Sequence, residues 1–77
     1  MRQITTIPHS QMRITVFLWN GKYLIKFEAG PYEQSYKIDE TTVEDTLDLQ
    51  LRITDDFLSK VEMRFKEMHA DFVNIFN

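Results

Sequence analysis

The chain has 77 residues, no cysteine and a formal net charge of −3 at pH 7. That length makes one small domain, its core near the lower limit for independent stability, roughly 3–5 kcal/mol without added staples. The absence of cysteine excludes disulfides and thiolate metal sites and suits a reducing cytoplasm. No run reaches the ~20 apolar residues of a transmembrane helix, and residues 1–10 lack the apolar segment of a signal peptide.

In residues 1–11 the only large apolar groups after Met1 are Ile4 and Ile7, and Pro8 stops a regular central strand. The expectation is an extended or flexible arm, at most an edge strand.

Residues 12–29 read as a β-hairpin. Asn20-Gly21 lies between two runs rich in β-branched and aromatic residues, and both residues tolerate the positive φ of a type I′ turn. A two-residue loop sets Trp19 opposite Lys22 and fixes every pair outward. One face then carries Leu18 with Tyr23, Val16 with Ile25, Ile14 with Phe27 and Met12 with Ala29, all apolar or aromatic. The other carries Trp19 with Lys22, Phe17 with Leu24, Thr15 with Lys26 and Arg13 with Glu28. A slip of one residue would mix the faces, so turn chemistry and burial select one register.

Gly30-Pro31 marks a second turn. The following run, Tyr32 to Ile38, alternates, and an even loop puts Tyr36 and Ile38 on the core face beside Ile25 and Tyr23. The result is a three-stranded antiparallel meander over 12–38.

Residues 39–53 carry two signals. Leu47, Leu49, Leu51 and Ile53 alternate as in a strand, leaving a fourth strand over 46–53 as the competing assignment. Val43, Leu47 and Leu51 recur at helical spacing, and Thr41 to Glu44 matches a capping box. Leucine favours helices, so a short helix over 42–52 is expected. Residues 55–76 form the long helix, capped by Thr54 or Asp55. Phe57, Leu58, Val61, Phe65, Met68, Phe72, Ile75 and Phe76 make its apolar stripe. At 1.5 Å per residue it spans roughly 33 Å, against about 27 Å for an eight-residue strand. It is therefore able to overhang the sheet. The fold class is α+β: a meander packed against a long C-terminal helix, with a short helix leading into it.

No glycine-rich phosphate loop or nucleophile elbow is present, and no glycine follows residue 30 to shape a calcium loop. His69 has no carboxylate at i±3 or i±4 to position it as a general base, and His9 adjoins Pro8 in the N-terminal arm. Asp39, Glu40, Glu44, Asp45, Asp48 and the Asp55-Asp56 pair read as solvated faces and helix caps. No catalysis, cofactor, metal or small-molecule substrate is expected.

Two surfaces remain. The outer sheet face presents Phe17, Trp19, Lys22 and Lys26, with Arg13, Leu24 and Lys37. Aromatics among bases are what single-stranded nucleic acid or another anion needs, although the overall acidity argues against a general nucleic-acid binder. The other surface is the end of the long helix, apolar through Phe72 and Phe76. Met63 falls off the stripe and is a further contact candidate. Trp19, Phe72 and Phe76 are the interface candidates of a homodimer, the leading expectation. Residues 1–38 hold five bases against two acids, and residues 39–77 ten acids against four bases. Those halves are able to pair across such an interface.

Overall fold

The computed structural model describes the whole chain, Met1–Asn77. Four strands form one antiparallel sheet in sequence order: β1 (Arg2–Ile7), β2 (Arg13–Trp19), β3 (Lys22–Ala29) and β4 (Tyr32–Asp39). A 3-10 turn (Glu40–Thr42) leads to a short helix, α1 (Thr46–Arg52), and then to α2 (Asp55–Ile75).

The central hairpin has the register its turn dictates, from Trp19 opposite Lys22 to Arg13 opposite Glu28. Asn20 and Gly21 take φ of 57° and 76°, the two positive values of a type I′ turn. The second turn is also two residues long. Gly30 supplies the positive φ, 58°, that type II′ places first, and Ala29 pairs with Tyr32. Tyr36 therefore faces Ile25, and Ile38 faces Tyr23.

The sheet gains its fourth strand at the start of the chain rather than at 46–53. Residues 2–7 pair with β2, with an irregularity between Gln3 and Thr5. That extra residue shifts the alternation, so Thr5 lies opposite Val16 and Ile7 opposite Ile14. Ile7 packs on the core, whereas half-buried Ile4, the extra residue, does not.

Residues 46–52 are helical, and the helix starts later than the Thr41–Glu44 signal indicates. Val43 stays extended (φ −122°, ψ 157°) and is buried. Burying Val43 outweighs continuing the helix back through it. The capping comes from Asp45, whose Oδ1 accepts the Asp48 N–H at 2.8 Å, while Asp48 Oδ2 accepts the Glu44 N–H at 2.9 Å. The buried residue of α1 is Leu49, and Leu47 and Leu51 of the expected Val43–Leu47–Leu51 stripe point to solvent.

Helix α2 is capped by Thr54, whose hydroxyl accepts the Phe57 N–H. Leu58, Val61 and Phe65 bury against Met12, Ile14, Val16, Tyr23, Ile25 and Phe27, the face the register assigns to the core. Gln34, on that face opposite Phe27, donates from Nε2 to the Val61 carbonyl at 3.0 Å. Further along, the Tyr36 hydroxyl accepts from Arg64, and Tyr32 meets His69 and Phe72. The helix thus runs back along β4 and then past the end of the sheet. The molecule is 45 Å long and 18 Å thick.

Candidate interaction surfaces

On the outer face, β2 and β3 place Phe17, Trp19, Lys22 and Lys26 on one side of the sheet, as their register requires. The four are not equivalent. Lys26 Nζ stands 5.7 Å from the centre of the Phe17 ring and 3.5 Å from Glu33 Oε1, so the lysine lies over the phenyl ring and is itself paired. Thr15, short and flanked in register by Thr6 and Lys26, is buried. Trp19 is half exposed and borders a shallow depression with Asn20, Lys22, Leu24 and Lys37. Strand β4 adds Glu33 and Asp39 to this face, and β3 adds Glu28. The face therefore carries both signs, with Glu28 directly opposite Glu33 and Lys22 opposite Asp39. The N-terminal arm lies in the plane of the sheet as β1 and does not fold over these residues.

The second surface is the end of α2. Phe72, Val73, Ile75 and Phe76 are 45%, 39%, 73% and 72% exposed. Neither the N-terminal strand nor α1 covers them. Phe72 and Phe76 stack with ring centres 4.9 Å apart, and Phe72 meets Tyr32 edge-on at 5.7 Å. With Pro31 and His69 they border an open, largely apolar concavity.

A third feature was not legible in sequence. Ile38, Val43, Leu49, Ile53 and Phe57, with Arg52 at the rim, line an apolar groove of about 320 Å³ beside β4. The helical reading of 42–52 groups Val43 with Leu47 and Leu51, so Leu49 and Ile53 do not stand out as the residues that join Ile38 and Phe57 here. β4 ends the sheet at this side, which leaves the groove open to solvent.

The histidines are held by ordinary contacts. His9 Nδ1 accepts the Gln11 N–H at 3.0 Å, which places its proton on Nε2, 3.3 Å from Glu62. His69 Nδ1 is 2.8 Å from the Tyr32 hydroxyl. No three His, Asp or Glu side chains converge as metal ligands would. Asp48 is the one carboxyl pulled clearly below its ordinary range, by the Glu44 N–H first and by Arg52 next. Both contacts hold Asp48 in the first turn of α1. No helix is long and apolar enough to cross a membrane. No family model, curated protein or solved structure matches the chain.

Proposed function

We propose that this chain is a non-catalytic interaction domain of the cytoplasm whose partner is a second copy of itself. The observation that carries the reading is the bare end of α2, where four consecutive-turn apolar residues, Phe72, Val73, Ile75 and Phe76, stand in solvent. Contiguous apolar patches beyond a few hundred Å² are rare on monomers. A two-fold assembly buries such a patch on both copies with one contact. The small core gives a second reason, since burial between copies adds to the stability of each. The absence of cysteine suits the reducing compartment. Static light scattering of the full chain from low to high micromolar concentration tests the reading. A dimeric mass is expected, and a mass that stays monomeric throughout overturns it.

A further inference from the structure

Resting on that self-association, we propose that the two copies join edge to edge along β4, antiparallel and two-fold about Ser35, with Phe72 and Phe76 of each entering the apolar groove of the other. The starting point is the difference between the two sheet edges. β1 is interrupted between Gln3 and Thr5 and is followed by Pro8, features that blunt an edge. β4 has neither: its ladder with β3 runs unbroken from Tyr32 to Asp39. No backbone group of β4 finds a partner on its open side. The closing pair of the two-residue turn is Ala29 with Tyr32. By the alternation of an antiparallel ladder, Glu33, Ser35 and Lys37 then turn their N–H and C=O groups outward.

A second β4 satisfies those groups, and the side chains select where it sits. A two-fold axis perpendicular to the sheet keeps both core faces on one side, so residues of equal parity pair. With the axis at Ser35, Glu33 lies opposite Lys37 of the second copy, twice. Moving the axis to Tyr36 sets Glu33 against Asp39, two like charges. Moving it to Lys37 sets that lysine against its own copy. Lys37 has no ion-pair partner within its chain. A lone edge lysine also serves to repel strands, but Glu33, held in place by Lys26 and the Ser35 hydroxyl of its own chain, stands at the spacing that meets Lys37 across this axis.

The same register explains the two apolar features. It places Tyr32 opposite Ile38 of the second copy, at a position where facing side chains come closest. Tyr32 touches Phe72, and Ile38 lines the groove with Leu49, Ile53 and Phe57. The protrusion of one copy therefore arrives at the hollow of the other. A self-complementary protrusion and hollow on one shared edge is what a closed two-fold interface requires.

Charge reversal tests this. Glu33 and Lys37 are exposed, so the monomer tolerates exchange. Lys37→Glu and Glu33→Lys should each weaken dimerisation by about tenfold or more, because each faces its own sign in the second copy. An equal mixture of the two variants should regain the dimer, as should the double exchange in one chain. Ser35→Pro, which removes an outward N–H and the exposed hydroxyl bond to Glu33, should leave the monomer's ladder intact and lower the mass, and Ser35→Ala, which removes the hydroxyl alone, should keep the dimer. In the wild-type dimer the amides of Glu33, Ser35 and Lys37 should exchange slowly, and in Lys37→Glu rapidly. A dimer that survives both reversals with fast-exchanging β4 amides overturns this edge while leaving self-association standing. A wild-type monomer overturns both.

Discussion

The Tyr32 hydroxyl lies 2.8 Å from Nδ1 of His69. This contact joins the first residue of β4 to the fourth turn of α2, and it marks where the helix leaves the sheet. The Tyr32 ring also meets Phe72 edge-on, and three residues, a little under one helical turn, separate the pinned His69 from the first of the bare ones. Tyr32→Phe should cost about 0.5–1 kcal/mol through the lost hydrogen bond. Tyr32→Ala should cost about 1 kcal/mol more through the lost edge-to-face pairs. Urea melts of the three proteins measure both steps, and equal midpoints would show that the contact holds nothing.

The sheet core should respond far more strongly. Phe27 is fully buried between Tyr36 and Phe57, with ring centres 6.1 and 5.9 Å away. Phe27→Ala should cost about 3–5 kcal/mol, comparable to the whole stability of a domain this small, and far-UV circular dichroism should show an unfolded chain at 37 °C. Val16→Ala and Ile25→Ala should lower the melting temperature markedly. Trp19→Ala should stay within about 1 kcal/mol of wild type, because half of that ring is already in water.

The contrast between Phe27 and Trp19 is legible in the sequence, and the reason is local. Asn20-Gly21 fixes one pairing, and only that pairing collects eight apolar residues on one face. The two-residue loop at Gly30-Pro31 carries the same register to β4. Where the outcome depends on distant groups the sequence is less explicit. The irregularity between Gln3 and Thr5 breaks the alternation that would have marked β1 as a strand. Thr41–Glu44 and Asp45–Asp48 are both capping signals, and burial of Val43 decides between them. Phe17 and Trp19 look alike in the pattern, yet Lys26 shields one and leaves the other.

The α1 cap gives a pH dependence. The Asp48 carboxylate accepts the Glu44 N–H and pairs with Arg52 at 3.2 Å, which holds its proton affinity below that of an unfolded aspartate. A depressed pKa means the ionised carboxylate favours the folded state. That contribution is present above the unfolded value of about 3.9 and disappears as pH falls through the lower folded value. Asp48→Asn should be less stable than wild type at neutral pH, and the gap should close below about pH 4. Denaturant melts from pH 7 down to pH 3 check this. A gap that does not change with pH would mean that Asp48 acts through shape alone.

The last prediction separates the two apolar surfaces. Trp19 lies on the outer face at the β2–β3 turn, on the side of the sheet opposite the groove beside Ile38 and Phe57, and β3 stands between its strand and the open edge of β4, although it borders one depression with Lys37. Phe72 and Phe76 lie at the opposite end of β4, against Tyr32. If self-association runs through the end of α2, Phe76→Lys and Phe72→Lys should shift the solution mass toward the monomer. Trp19→Lys should leave it unchanged. The core ends at Met68, and every residue from His69 to Asn77 is exposed, so Phe76→Lys should keep the melting behaviour of a wild-type sample diluted to its monomer, whereas Phe72→Lys should fall below it by about 0.5–1.5 kcal/mol through the lost Tyr32 edge contact. Tryptophan emission gives an independent check, because Trp19 should keep a solvent-exposed spectrum in monomer and dimer alike. A blue shift on concentrating the wild type, together with a monomeric Trp19→Lys, would place the interface on the outer sheet face instead.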